Sequence, residues 1–529
     1  MPRERQPHDL AGADAEEKEL IAFLTDPASY PDHPERVDTI KTHAARVFLA
    51  GDKAYKIKKH VKLPFLDFST RELRRQALER ELELNRDHAP DIYLKTVAIN
   101  RDSGGALTFG DGQIVDYALV MNRFEQNAVL ARIAEKGPLP APIPRNLAEM
   151  VAQYHSSVPI AEGTSGSDIM RDTVGGLATG LLDAAPAAAA PLMDTFARLS
   201  RAEVVLLGPL LELRGQNGHV RRCHGDLHLG NIVMRDGRIV PFDALEFDER
   251  LARIDVLYDL AFLLMDLDVR GDRAAANTVL NAYVVAEPTG EEIEGLATLP
   301  LFLATRAAVR SLVALESALQ KPEGEDTDDI SRAIDYVTEA NRYLTPPRPE
   351  LIAIGGLSGT GKSTLAARLA PLIGPAPGAL VLRTDVERKK MFNARENERL
   401  PRELYTEQVS DDVYAVLYDK TRRALSAGHA VIFDGVSAKA AERNVIEDIA
   451  RSMDLPFSGL WLEAPLNTQI ARVSARRGDA SDSDEAVVRA QSERDLGDVA
   501  WTRIDAGRNP EHTLAAALGV LGLHDHSNP

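Results

Sequence analysis

Apolar and polar positions alternate in two different ways along this chain. Before about residue 123 the apolar runs are short and separated by turn signals. Val47–Ala50 and Ala54–Lys58 flank Gly51-Asp52, a pattern that predicts a β-hairpin. Thr70–Ala89 has apolar residues at helical spacing among many charges and predicts an amphipathic helix. Tyr93–Ile99 and Ile114–Met121 read as strands that complete a small sheet. From about Pro144 to Tyr343 the pattern is mostly helical, with an interruption near Cys223–Asp243 and an alanine- and proline-rich loop or helix start at Leu182–Pro191. Beyond Leu351 the rhythm changes. Apolar strands at Leu351–Ile354, Ala379–Leu382, Ala430–Phe433 and Gly459–Leu462 alternate with helical segments, which predicts a parallel sheet covered by helices. Prolines between Tyr343 and Leu351 break the preceding helix. The expected organisation is therefore two unlike modules, 1–343 and 351–529, joined by a linker at 344–350.

Length agrees with that division, since 529 residues exceed what one hydrophobic core usually supports. A formal charge of -18 argues against a dedicated binder of nucleic acid or anionic membrane, because phosphate backbones demand a basic surface. Nucleotides remain open, since they need only local cations and backbone N–H groups. The one cysteine, Cys223, excludes an intrachain disulfide and a cysteine-based zinc site, which favours a reducing compartment. The N-terminal segment lacks the apolar run of a signal peptide, and no stretch approaches the ~20 apolar residues of a membrane span. The expectation is a cytoplasmic protein without membrane or nucleic-acid partners.

The C-terminal module carries Gly356-Leu-Ser-Gly-Thr-Gly361-Lys362-Ser363, which fills every constrained position of a P-loop. A buried-type strand precedes it and a helix follows. Gly356, Gly359 and Gly361 let backbone N–H groups turn toward phosphate oxygens, with Thr364 in the same cradle, and the helix N-terminus adds partial positive charge. Lys362 would reach the β/γ-phosphates and Ser363 would ligate Mg²⁺. Asp434, ending the strand AVIFD, suits the support of that metal.

The N-terminal module contains His224-Gly-Asp226-Leu-His228-Leu-Gly-Asn231 and, after a turn at Arg235-Asp-Gly237, Pro-Phe-Asp243. The interval from Asp226 to Asn231 is that of a kinase catalytic loop. One carboxylate must take or orient the acceptor hydroxyl's proton, and an amide a loop-length away must hold Mg²⁺. The hairpin would return Asp243 to the same metal. His228 reads as a packed loop histidine, and Cys223 as a small buried residue with nothing arranged to activate it.

HGDLHLGN followed by FDALEF resembles the aminoglycoside phosphotransferase-like fold, a bilobal α+β relative of protein kinases. The whole chain, over about 35–525, is similar to a bacterial family that fuses such a domain to an ATP-binding P-loop domain. THAARVFLAGDKAYKIKK and LDFSTRELRRQALERELELNRDHAPDIYL are further marks of the resemblance. It implies a small lobe at about 35–123 and a large lobe at about 124–343. Lys56 would pair with the α/β-phosphates, with Lys58 as runner-up, and Glu81 would be its ion-pair partner ahead of Glu83. Ala118–Phe124 would hold adenine through backbone groups, and Asp259 would support the catalytic loop. One departure is plain: no G-x-G-x-x-G loop precedes Lys56.

Residues 350–525 resemble P-loop kinases of small molecules. That resemblance implies that Asp385 faces the acceptor hydroxyl, that Arg388 and Arg443 lie on the substrate or phosphate side, and that Arg472 and Arg476 are lid arginines. The expected function is a bifunctional ATP- and Mg²⁺-dependent phosphotransferase acting on small-molecule hydroxyls. The alternative is that one domain only senses or scaffolds nucleotide.

Overall fold

The computed structural model describes residues 7–523 apart from 43, 64–65, 288–289, 320, 322–325 and 476–479. The chain divides into two compact units, one of Met1–Gly137, Gln153–Ile169 and Gly215–Leu263, the other of Pro138–Ala152, Met170–Arg214 and Leu264–Pro529.

The first unit is built on a six-stranded antiparallel sheet of β1 (Val37–Lys41), β2 (Ala45–Ala50), β3 (Lys53–Lys58), β4 (Tyr93–Arg101), β5 (Leu107–Thr108) and β6 (Gln113–Asn122), in the order β1-β2-β3-β6-β4-β5. The β2–β3 hairpin turns at Gly51, whose φ of +59° is the left-handed conformation that such a tight turn requires. Helix α1 (Arg71–Arg86) begins at Thr70, whose hydroxyl accepts from the Leu73 N–H at 3.3 Å. Strand alternation separates two cores. Leu49, Ala54, Leu119 and Tyr93 pack with Leu78 of α1 on one face, and Phe48, Ile57 and Ile99 pack with Leu20 and Leu24 on the other. Lys56 and Lys58 share the parity of Ala54, so both stand on the α1 face. Strand β1 escapes the sequence pattern because VDTIK offers only two apolar residues among five and ends the sheet at one edge.

The same unit holds the loop region. Val220–Arg222 pairs with Arg253–Asp255, and Ile232–Arg235 pairs with Arg238–Pro241 through a turn at Asp236 and Gly237.

In the second unit, β7 (Leu351–Gly355), β8 (Leu380–Arg383), β9 (Val431–Asp434), β10 (Phe457–Glu463) and β11 (Thr502–Asp505) form a five-stranded parallel sheet ordered β8-β9-β7-β10-β11. Central β7 is buried along its whole length, which is why its sequence is continuously apolar. Strand β11 went unpredicted because TRID turns only Ile504 inward. Helix α2 (Arg273–Ala286) covers the free edge of β8 with amides. Asn281 Oδ1 accepts from the Val381 N–H at 2.7 Å, and the side-chain amides of Asn277 and Asn281 donate to the Ala379 carbonyl at 3.0 and 3.1 Å. An otherwise unpaired strand edge is thereby satisfied. The run Glu292–Leu319 is long and apolar enough to cross a bilayer by composition, a point the sequence reading missed; 67% of its most apolar window is buried inside the protein, as in a core helix.

His429, just before β9, is buried, and its Nε2 has no hydrogen-bond partner among the described residues. Burial pushes its pKa down to about 4, helped by the Arg273 charge and opposed by a bond to the Gly378 backbone. The folded pKa lies below the unfolded value of about 6.5, so this contribution to stability is complete above that pH and is lost as pH falls toward 4. The loss amounts to about 3 kcal/mol in total. His429→Gln is expected to flatten this part of the pH dependence, read as the difference between wild-type and variant denaturation midpoints at neutral and acid pH. Parallel pH profiles for the two proteins would refute it.

Candidate functional site

In the first unit, the strand parity of β3 and the buried face of α1 bring charges together in a dry place. Glu81 is fully buried; its Oε1 meets Lys56 Nζ at 2.8 Å and its Oε2 meets Lys58 Nζ at 2.7 Å. Glu83, by contrast, pairs on the surface with Arg80. Lys56 also reaches Asp243 Oδ1, and Lys58 reaches Glu246 Oε1, both at 2.5 Å. Two lysines and three carboxylates thus form one network. Desolvation opposes the charge on Lys56, but Asp243, Glu81 and Glu246 outweigh it and hold its pKa well above the ordinary lysine value. Desolvation also raises Asp243, yet Lys56 and Lys58 prevail and keep its carboxyl below the usual range. Burial dominates at Glu246, whose pKa is raised despite Lys58.

The backbone of Asp243 has φ +62°, a left-handed conformation unusual for aspartate, and neighbours hold it there. Its N–H donates to the Tyr93 hydroxyl at 2.9 Å, and the next N–H, of Ala244, donates to Asn85 Oδ1 at 2.9 Å.

Asp259 organises the catalytic-type loop. Its two oxygens accept from the N–H groups of His224 and Gly225 at 3.1 and 2.9 Å, and His155 Nε2 stands 3.2 Å away. Asp259, His155 and Cys223 are close enough for a metal triad, but the backbone bonds on Asp259 make this a brace for the loop. His224 Nε2 lies 3.0 Å from the Phe242 carbonyl, which calls for a proton on that nitrogen. Its Nδ1 can then accept from the Asp226 N–H at 3.4 Å. Burial keeps this ring neutral by lowering its pKa. Asn231 Nδ2 donates to the Asp226 carbonyl and to Asp226 Oδ2, at 3.0 and 2.8 Å. Its amide nitrogen is thereby committed, so the carbonyl oxygen is the atom left for a cation. With the ionised Asp243 it forms a hard oxygen set that fits Mg²⁺. His228 packs against the Phe262 ring with its Nδ1 on the Gly230 N–H, a loop histidine as expected.

The structure narrows the expected adenine-binding stretch. Ala118–Met121 lie in β6 and pair with β4 on one side, and Leu119–Met121 pair with β3 on the other. Their backbone groups are therefore largely spent, and only the positions after Asn122 leave the ladder. The glycine-free turn between β1 and β2 is tied by the Thr42 N–H, which donates to the Ala45 carbonyl, and the Ala45 N–H, which donates to the Thr42 hydroxyl, both at 3.0 Å.

In the second unit, the P-loop runs from β7 into helix α3 (Lys362–Leu369) beside a cavity of about 940 Å³. Gly359 has φ +82°, and a Cβ there would stand 2.6 Å from the Gln469 carbonyl oxygen. Ser363 Oγ donates to Asp434 Oδ2 at 2.6 Å, and Arg383 Nε lies 3.4 Å from the same oxygen. Burial raises the Asp434 pKa against the pull of Arg383 and Lys362. This hydroxyl–carboxylate pair at a strand end and helix start also fits Mg²⁺. Lys362 Nζ donates to the Leu357 carbonyl at 3.2 Å, back across its own loop. Gly359, Gly361, Lys362, Ser363, Thr364, Asp385, Asp434 and Arg472 all line the cavity. Gly356, with φ +136°, lies behind them at the end of β7.

Arg472 donates to the backbone of Thr360 and Arg508 at 3.4 and 2.7 Å. Arg476 lies outside the described residues. Arg443 faces away from the cavity: its guanidinium is buried and donates to four backbone carbonyls, those of Ser437, Ala438, Leu496 and Asp498. Sequence reasoning passed over Glu246, Tyr93 and Asn85. Glu246 had a signal in its spacing, three residues after Asp243, whereas Tyr93 and Asn85 had none.

A model of the phosphotransferase enzyme family matches residues 118–296, and a model of an AAA domain matches residues 351–494. An uncharacterized protein of Mycobacterium tuberculosis is 29% identical over 515 residues, covering 92% of this chain and 95% of that protein. A protein of Mycobacterium bovis matches to the same extent. Among solved structures, a gluconokinase from Sinorhizobium meliloti aligns with 33% of this chain and 92% of its own, at TM-score 0.25 and 18% identity. An ethanolamine kinase from Plasmodium vivax aligns with 64% of this chain and 95% of its own, at TM-score 0.38 and 12% identity. One polypeptide thus joins a kinase-like domain, part of which matches the model of the phosphotransferase enzyme family, to a C-terminal P-loop domain that matches the model of an AAA domain.

Proposed function

We propose that each domain transfers the γ-phosphoryl group of ATP to a hydroxyl of a small molecule. The observation that carries this reading is the division of labour within each site. A lysine, Lys56 or Lys362, faces the nucleotide side. An oxygen set, Asn231 with Asp243 or Ser363 with Asp434, is fit for Mg²⁺. A further carboxylate, Asp226 or Asp385, is available to the acceptor. When bound, Mg²⁺ would neutralise charge on the phosphates.

The protein groups would do the rest. Asp226 or Asp385 accepts the hydroxyl proton as the acceptor oxygen bonds to the γ-phosphorus. The bond from that phosphorus to the bridging oxygen breaks, and ADP departs. Burial of the Lys56 network keeps its positive charge fixed and preorganised, which is how such groups stabilise a charged transition state. The glycine-free β1–β2 turn favours a second reading for the N-terminal site alone, in which it holds nucleotide and turns over slowly or not at all.

The test uses the full-length chain, γ-labelled ATP and a cell-extract metabolite pool. Asp226→Asn and Lys362→Ala should each remove a different set of labelled products, and the double variant should remove both. Undiminished labelling by the double variant defeats the proposal. Loss confined to Lys362→Ala selects the second reading.

A further inference from the structure

Helix α4 (Thr384–Met391) follows β8 directly, and Asp385 in its first turn lines the cavity beside the P-loop. The β8–α4 unit therefore fixes where this carboxylate stands. Strand β8 is a poor anchor by itself. It is four residues long, lies at the edge of the sheet, and pairs only with β9 among the described strands. What holds its other side comes from upstream of residues 344–350, within the same compact unit as the parallel sheet. Before Asp385, the Val381 N–H donates to Asn281 Oδ1 at 2.7 Å, and the Ala379 carbonyl accepts from the side-chain amides of Asn277 and Asn281. After Asp385, Lys390 Nζ donates to the Glu287 carbonyl just past the end of α2.

The segment that makes these bonds is itself clamped. Arg423 of helix α5 (Glu407–Ser426) bonds both carboxylate oxygens of Glu294 and the Gly290 carbonyl, and Arg273 at the start of α2 donates to the Gly374 carbonyl at 3.1 Å. Val284 and Ile293 are buried beside Leu380 and Leu417 around a small crevice. Shielding an edge strand needs no more than a helix or a charged side chain laid over it. The asparagine pair is more specific. One turn apart on the same face of α2, the two amides offer an acceptor and donors to a backbone N–H and a backbone C=O, as a neighbouring strand does. They fix the register of β8 along its own axis as well as covering it.

We infer that Asn281, with Asn277, is a positioning residue of the C-terminal site: it fixes β8 and, through β8, the Asp385 carboxylate. The segment Arg273–Glu294, which precedes the P-loop module in the chain, is thereby a working part of that module's site. The inference rests on the phosphotransferase reading above, since it gives Asp385 its task, and adds residues that the reading does not contain. Asn281 touches neither nucleotide-binding residues nor the cavity lining, so its effect belongs to the rate of transfer and not to the hold on nucleotide. A displacement of about 1 Å at a reacting group costs on the order of 10²-fold in rate.

The test uses the full-length chain, γ-labelled ATP and a cell-extract metabolite pool, and follows the label transfer that Lys362→Ala removes. Asn281→Leu should lower the maximal rate of that transfer roughly 10- to 100-fold. Affinity of the P-loop for a non-hydrolysable ATP analogue, read by calorimetry, should stay unchanged, and amide hydrogen exchange should quicken in 380–391. Asn281→Asp keeps an oxygen for the Val381 N–H and should recover part of the rate. Full transfer by Asn281→Leu shows the amides to be an edge cover and overturns the inference alone. So does a joint loss of transfer and nucleotide affinity, or an equal loss in Asn281→Asp and Asn281→Leu, because either marks general destabilisation. Should Asn281→Leu fail to fold, Lys390→Met decides from the other end of α4: a lower rate with intact nucleotide binding supports the inference, and a full rate overturns it. Absence of Lys362-dependent transfer in the wild type overturns the phosphotransferase reading and this inference with it.

Discussion

Asp226→Asn is expected to lower phosphotransfer at the N-terminal site by about 10²–10⁴-fold, with Mg·ATP affinity nearly unchanged. The structure gives the reason for so clean a separation. The Asp226 side chain is 40% exposed and within reach of an acceptor, whereas the lysine network lies on Asp243 and Glu81. An asparagine keeps an oxygen for the Asn231 amide, now 2.8 Å from Asp226 Oδ2, so the cation-binding oxygen of Asn231 stays in place. What is lost is the basic carboxylate. Asp243→Asn should behave differently. It removes a charged cation ligand and a partner of Lys56, so nucleotide affinity and transfer should fall together. Both variants are read by nucleotide titration beside label transfer. Equal transfer by wild type and Asp226→Asn removes the catalytic role from this residue.

Lys362→Ala is expected to weaken nucleotide binding at the C-terminal site and reduce its turnover by on the order of 10²–10³-fold, the scale of a lost preorganised donor. Among the described residues, neither nearby arginine is placed to replace it. Arg383 is held near Asp434, and Arg472 donates to the backbone carbonyls of Thr360 and Arg508. The glycine conformations at 359 and 361 do not depend on the lysine side chain, so the fold should survive the substitution. Calorimetry with a non-hydrolysable ATP analogue and Mg²⁺ should resolve two sites in the wild type and one in the variant. Two undiminished sites in Lys362→Ala would defeat the P-loop assignment.

Most of the local architecture was legible because it depends on residues close together in the chain. The Gly51-Asp52 turn, the helical spacing of apolar residues in Thr70–Ala89 and the continuous apolar run of Leu351–Gly355 each specify their element by sterics, periodicity or burial. Strands β1 and β11 were not legible. Each has too few apolar positions to display a period, and each exists because a neighbouring strand supplies its hydrogen bonds. The P-loop and the Asp226–Asn231 interval were legible for the same local reason, since their chemistry requires fixed spacing.

The charge network shows where local information ends. In sequence, Glu81 is one acidic residue among several on a charged helix, and Lys56 and Lys58 are two of four lysines in KAYKIKK. Packing of α1 on β3 distinguishes them: it buries Glu81 completely, and a buried carboxylate must find cations, which the parity of β3 supplies twice. The same logic separates Arg443 from Arg388, two arginines that sequence treats alike. One is saturated by four backbone carbonyls from distant segments, and the other is left with a bare Nε in a cavity. Sequence alone determined which residue types could do phosphotransfer chemistry and at what spacing, because backbone geometry over a few residues follows from the residues themselves. Tertiary structure alone decided which charges lose their water and which partners they meet, because desolvation depends on everything packed around a group.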